Sequence, residues 1–331
     1  MSSADPKPAT RLRLGILGCS DIARRKFIPA LLRNERLALA AIAGRERSRA
    51  AGFVAGHRYA ACSYEELVSA TDVDLVYVSL PNHLHEEWTI RALTAGKHVI
   101  CEKPLGLSAA SVERMLAAAD ERGLLLYENL MYLHHPQHGA VKRLLVSGTI
   151  GRLKVVRCVF GFPFPKAEDF RLDPLMGGGA LHDLARYPLS AALFFLQEEP
   201  GEFQGIALDR KGLNLAMHGI AHTPAQEVFQ YAIAFGQQYE AYYELVGEKG
   251  RIRVERPFTT PPDLANRIEV VCGTEDRSFV APPADHFALM LDGVIDLLKD
   301  DDFGPVHARS RCLARLAEAM EKGSRHVQVN G

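Results

Sequence analysis

The 331-residue chain carries 39 Lys+Arg against 40 Asp+Glu, a net charge of -1, and 47% of its residues are hydrophobic. That balance offers no electrostatic footprint for nucleic acid or an anionic membrane surface, and no apolar run reaches the roughly 18 residues of a membrane span. The length allows two domains, each with its own core. Met1 to Thr10 is polar, holds two prolines and lacks an apolar signal core, so it is expected to be a disordered lead-in. Six scattered cysteines with no C-x-x-C pair fit free thiols in a reducing cytoplasm. The pairs His83/His85 and His134/His135 lack the helical spacing of a zinc protease, so no metal site is expected.

In chain order, Leu12 to Leu17 reads as an apolar strand, Ile22 to Asn34 as a helix and Leu37 to Ala43 as a second strand. Asp74 to Leu80 is a third, ended by Pro81; His85 to Ala95 is a helix closed by Gly96, and Val99 to Cys101 resumes the sheet. Ser108 opens a further helix with a capping signature, and Leu124 to Tyr127 is strand again. Strands apolar on both faces and separated by helices predict an α/β, doubly wound parallel sheet of Rossmann type over residues 11–130. Beyond Gly151 the period becomes two. Phe229, Tyr231, Ile233 and Phe235 share one face, as do Tyr239, Ala241, Tyr243 and Leu245, and Arg251 to Glu255 and Arg267 to Cys272 alternate as well. With helices over Leu181 to Leu196, Phe287 to Lys299 and Arg309 to Lys322, residues 131–331 are expected to form an α+β domain around an antiparallel sheet.

Gly18-Cys19-Ser20-Asp21-Ile22-Ala23 stands where a G-x-G-x-x-A fingerprint belongs, after a strand and before a helix. Gly18 would make the tight turn and Ala23 the close packing, leaving the amides and positive end of the helix to a pyrophosphate. Ser20 replaces the second glycine, although its hydroxyl can itself bond phosphate. At the end of the second strand Gly44 takes the place of the acidic residue that bonds an NAD ribose, and Arg45 and Arg47 follow. A guanidinium can bind a 2'-phosphate bidentately, so the pattern predicts NADP(H). Leu80, Asn82 and His85 would border the adenosine and nicotinamide ribose, and Glu102 would hydrogen-bond near the latter.

Lys103, in Cys101-Glu102-Lys103-Pro104, follows an apolar strand and points into the crevice where such sheets hold ligands. Gly177-Gly178-Gly179 precedes a helix on which Asp183 and Tyr187, four apart, share a face.

These stretches together, with Pro81-Asn82-His83-Leu84-His85, resemble the Gfo/Idh/MocA oxidoreductase family. The resemblance implies a dinucleotide-binding domain, a second domain with a large, mostly antiparallel open sheet, and homodimers or homotetramers built through that sheet. It also implies hydride transfer on sugars and polyols, with Lys103 as catalytic lysine and Asp183 as the aspartate that contacts substrate. Tyr187 stands where many members have histidine, which is similar to 3-ketoreductases of nucleotide-activated deoxysugars. Leu133 stands where arginine is usual. His135 and Arg171 are further candidate substrate contacts. The expected activity is therefore NADPH-dependent reduction of the C-3 keto group of a nucleotide-activated, dTDP-type keto-deoxysugar. Reducing a ketone builds negative charge on oxygen, which needs a proton donor and a positive neighbour. Tyr187 is the candidate donor, and a nearby Lys103 ammonium would favour its phenolate and ease transfer; the two roles are interchangeable at this level. The alternatives are an NADP-dependent dehydrogenase of a free sugar, polyol or dihydrodiol, and a non-catalytic NADP-binding regulator.

Overall fold

Residues 11–54 and 59–329 are described by a computed structural model; the expected lead-in, residues 1–10, lies outside them. The strands β1 (Leu12–Leu17), β2 (Leu37–Gly44), β3 (Ala60–Ser63), β4 (Leu75–Val78), β5 (His98–Glu102) and β6 (Leu126–Asn129) form a parallel sheet in the order β3-β2-β1-β4-β5-β6. Helices α1 (Ile28–Arg33), α2 (Arg47–Phe53), α3 (Tyr64–Ser69), α4 (His85–Thr94) and α5 (Ala109–Asp120) lie between them. All four residues of β4 are buried, as a strand covered on both faces requires. Ser108 caps α5 by accepting from the Ser111 amide at 3.1 Å. The order reverses between β1 and β4, so their carboxyl ends open the ligand crevice of a doubly wound sheet. Strand β3 was not expected: it is four residues long and only partly buried, too short for a periodic signal.

The second sheet holds nine strands, β7 (Leu153–Phe162), β8 (Gly201–Arg210), β9 (Leu213–His222), β10 (Val228–Phe235), β11 (Glu240–Gly247), β12 (Gly250–Glu255), β13 (Asn266–Cys272), β14 (Glu275–Ala281) and β15 (Ser324–Gln328). Their order is β14-β13-β12-β11-β7-β10-β9-β8-β15. Pairing is antiparallel except where β10 meets β7 and β15 meets β8. Helices α6 (Pro136–Val146), α7 (Ala180–Leu184) and α8 (Arg186–Phe195) cover one face, followed in the chain by α9 (His286–Asp300) and α10 (Gly304–Lys322). Phe229, Tyr231 and Ile233 are buried on that face, and so are Ala241, Tyr243 and Leu245, as their alternation predicted. The opposite face leaves Ile206 41% and Ile220 48% exposed.

The two halves are not cleanly divided in sequence. Although α9 follows the second sheet, its Phe287, Met290, Leu291, Val294 and Ile295 pack with Leu14, Ile16 and Phe27 of the first core. Helix α9 thus covers the parallel sheet rather than belonging with residues 131–331, and α10 reaches both halves, touching α5 and β6 as well as α8 and β8.

Candidate active site

The nucleotide turn is built by close approach of two strand ends. Gly18 has φ +109, and a Cβ there would stand 2.5 Å from the carbonyl oxygen of Ser79, just beyond β4. Only glycine satisfies both the left-handed backbone and that contact. The Ser20 hydroxyl shares a 2.6 Å hydrogen bond with the Ser79 hydroxyl and accepts from the Ala23 amide at 3.1 Å. It therefore fastens the turn to β4 and caps the helix start, instead of standing free for phosphate. A π-helical stretch, Ala23–Phe27, leads into α1, with Ala23 fully buried as expected. Asp21 is exposed, while Cys19 and Ile22 are partly buried. Burial raises the Cys19 thiol, against the pull of the nearby Arg49 and Arg24 guanidiniums.

Arg45 follows β2 directly and Arg49 lies one turn on in α2, while Arg24 lies over the Phe53 ring of α2 at 4.3 Å, so three cations stand on the side of the sheet where β2 ends. Arg47, expected among them, turns away: its Nε donates to the Ala61 carbonyl at 3.1 Å and its Nη1 meets Glu66 at 3.3 Å. Arg24 was not anticipated, because only the fold brings it to the end of β2; Arg49, one helical turn after Arg45 in the same basic stretch, was passed over although its position was readable. The residues fit an NADP-type dinucleotide: a glycine turn that no side chain obstructs, followed by a cluster of cations suited to phosphate.

Around the nicotinamide end the expectations divide. Leu80 is buried, and Asn82 donates from Nδ2 to the Gly177 carbonyl at 2.8 Å, tying the loop after β4 to the glycine run. His85 is fully buried, with Nδ1 2.8 Å from the Pro104 carbonyl and Nε2 2.9 Å from the Leu80 carbonyl. It braces two loops and has no free edge for a cofactor, which corrects its assignment. Glu102 accepts on Oε1 from the Tyr77 hydroxyl at 2.5 Å and from Asn129 Nδ2 at 2.7 Å. Burial raises its carboxyl despite those donors.

The chemical centre forms where the loop after β5 meets α7 and α8. Lys103 Nζ donates to Asp183 Oδ1 at 2.7 Å and to the Asp183 carbonyl at 2.6 Å. Arg171 Nε donates to Asp183 Oδ2 at 3.1 Å, and Arg171 Nη1 pairs with Asp169 at 3.1 Å. The Asp183 side chain is 8% exposed. Asp183 and Arg171, expected to contact substrate, are thus committed first to each other and to Lys103. The glycine run makes this possible: Gly177 and Gly179 have positive φ, and a Cβ at Gly178 would fall 2.6 Å from the Arg171 carbonyl.

Tyr187 projects beside this pair, with Lys103 Nζ 5.1 Å from its ring centroid. Its ring packs against Phe160, Phe258 and Tyr132 at 5.0, 5.5 and 5.6 Å. Its hydroxyl has no hydrogen-bond partner among the described residues. Burial works against the Lys103 ammonium, but Asp183 outweighs it and holds the group above the usual lysine range. Burial likewise disfavours the Asp183 carboxylate, yet Lys103 and Arg171 keep it below the usual range. For Tyr187 burial wins: the phenol is raised above its ordinary 10 and Lys103 offsets only part of that. Lys103 thus favours the phenolate as expected, but burial outweighs it, and Tyr187 is held in its protonated form.

His135 does not join the site. It is 1% exposed, its Nδ1 accepts from the Gln137 amide at 3.2 Å to cap α6, and its ring sits 6.5 Å from those of His138 and His286. Burial lowers its imidazole, as for a packed neutral histidine. Leu133 packs at the edge of the second core.

Comparison with known proteins agrees with this architecture. Residues 12–130 match the model of the oxidoreductase family with an NAD-binding Rossmann fold, and residues 138–253 match the GFO/IDH/MocA C-terminal domain. The chain is 38% identical to a dTDP-3,4-didehydro-2,6-dideoxy-alpha-D-glucose 3-reductase of Actinomadura kijaniata, covering 98% of both chains. It is 39% identical to the Streptomyces antibioticus enzyme of the same name, over 80% of this chain and 81% of that one. A crystal structure of a 3-ketoreductase from Actinomadura kijaniata with NADP and TDP-benzene superposes with a TM-score of 0.93 at 33% identity, covering 97% of this chain and 100% of that one. The chain belongs to the Gfo/Idh/MocA oxidoreductase family.

Proposed function

We propose that this protein is an NADPH-dependent ketoreductase acting on the C-3 keto group of a thymidine-diphosphate keto-deoxysugar. The observation that carries the reading is the meeting of the Lys103 ammonium and the Tyr187 phenol, 5.1 Å from nitrogen to ring centroid, at the carboxyl end of the parallel sheet. Relatives named for this reduction, alike over 80% and 98% of this chain, support the substrate class.

When bound, NADPH supplies the hydride that adds to the carbonyl carbon. The protein's part is to manage the oxygen. Lys103, kept cationic by Asp183, stabilises the charge that grows there. Tyr187, kept protonated by its buried setting, gives the proton that completes the alcohol. Arg171 neutralises the other Asp183 oxygen, so the carboxylate holds Lys103 without itself attracting a proton. Arg45, flanked by Arg24 and Arg49, takes the 2'-phosphate of NADPH. The exposed face of the nine-stranded sheet, with Ile206 and Ile220, supports association into a homodimer or homotetramer. Six free cysteines fit a cytoplasmic setting.

Removing the donor hydroxyl in Tyr187→Phe should lower kcat by about 10²- to 10⁴-fold while NADPH affinity holds; a loss below about threefold would remove Tyr187 from the reaction. Arg45→Ala should raise KM for NADPH and leave KM for NADH nearly unchanged, and an unaltered cofactor preference would contradict its role. Reduction needs a protonated phenol, so activity should be lost as pH rises through the Tyr187 pKa. Because that pKa lies above 10, a pH-rate profile should stay flat through neutrality and fall only at higher pH. An alkaline limb centred near pH 7 would sink this assignment.

A further inference from the structure

Lys103 and Tyr187 sit on separate pieces of the chain, one in the loop after β5 and one at the start of α8. A single buried oxygen joins those pieces. Glu128, at the end of β6, accepts on Oε1 from the Leu105 amide at 3.0 Å and from Arg186 Nε at 3.0 Å. Leu105 is two residues from Lys103, and Arg186 precedes Tyr187. Glu128 is 1% exposed and Arg186 4%. Arg186 Nη1 also donates to the Leu313 carbonyl of α10 at 3.3 Å, which fixes the guanidinium from its other side. The next residue, Asn129, bonds Glu102 and so steadies the loop just before Lys103.

We infer that the Glu128–Arg186 pair is a positioning device that sets the separation between Lys103 and Tyr187. A buried ion pair is weak support for stability, since a well-packed apolar pair often serves as well. An apolar pair cannot join two separate segments by hydrogen bonds to one atom. The pair touches neither NADPH nor the sugar; it acts through the two groups that do. This role rests on the reading of Lys103 and Tyr187 as the reacting groups, but the geometry it predicts can be read without substrate.

The test compares Glu128→Ala and the double variant Glu128→Met/Arg186→Met with the parent protein, each also in a Tyr187→Phe background. The double variant leaves no stranded charge, so it should fold even where Glu128→Ala does not. Either variant should lower kcat by about 10- to 100-fold, as misplacement of reacting groups does, with the dissociation constant for NADPH unchanged. In the Tyr187→Phe background the same changes should cost several-fold less than in the parent, because one of the two positioned groups is already gone. Equal losses in both backgrounds, or an unchanged kcat in the double variant, overturn the inference. Should the parent protein itself fail to reduce a thymidine-diphosphate 3-ketosugar, the functional reading fails separately. Crystal structures of the double variant then decide this one: a widened gap between Lys103 and the Tyr187 ring keeps it, and an unchanged gap ends it.

Discussion

The Asp183 carboxylate takes Lys103 on one oxygen at 2.7 Å and Arg171 on the other at 3.1 Å, in a setting only 8% exposed. Three opposing effects balance there. Burial penalises each charge, the opposite charges offset that penalty, and the carbonyl of Asp183 adds a second acceptor for the ammonium. The outcome is a lysine that keeps its proton and a carboxylate that stays ionised. The positive charge beside Tyr187 is therefore permanent across neutral pH and does not depend on a ligand to create it.

That same burial governs Tyr187. A phenol packed among Phe160, Phe258 and Tyr132 resists ionisation more strongly than a neighbouring ammonium can promote it. The site is thus suited to giving a proton rather than taking one at neutral pH. Reduction and oxidation of the same alcohol place opposite demands on this residue, and the environment favours the reducing direction.

Much of this was legible in the sequence where the signal is local. The glycine turn at Gly18, the capping Ser108 and the two-residue alternation of β10 and β11 are properties of neighbouring residues, and the structure realises each of them. Lys103 was found because it follows an apolar strand into the crevice, and the Asp183–Tyr187 pair because residues four apart on a helix share a face, although the structure divides that segment into α7 and α8 at Ala185. What local pattern could not convey is which polar groups are taken up by other polar groups. His85 is held by two carbonyls, Arg47 by Ala61 and Glu66, and Arg171 by Asp183 and Asp169. Pro104 lies 19 residues from His85, Ala61 and Glu66 lie 14 and 19 from Arg47, and Asp183 lies 80 from Lys103. Arg24 went unnoticed for the converse reason, since nothing in its own segment marks it as converging on β2. The packing of α9 on the parallel sheet follows the same logic, being a contact between the two ends of the chain.

A charged Asp183 keeps Lys103 in place beside Tyr187. The turnover number of Asp183→Asn with NADPH and a thymidine-diphosphate 3-ketosugar measures that dependence. The amide preserves size and an acceptor oxygen but removes the charge that holds the ammonium. The account expects kcat to fall by about 10²-fold or more, with NADPH affinity retained. A rate within about threefold of the parent enzyme would contradict it.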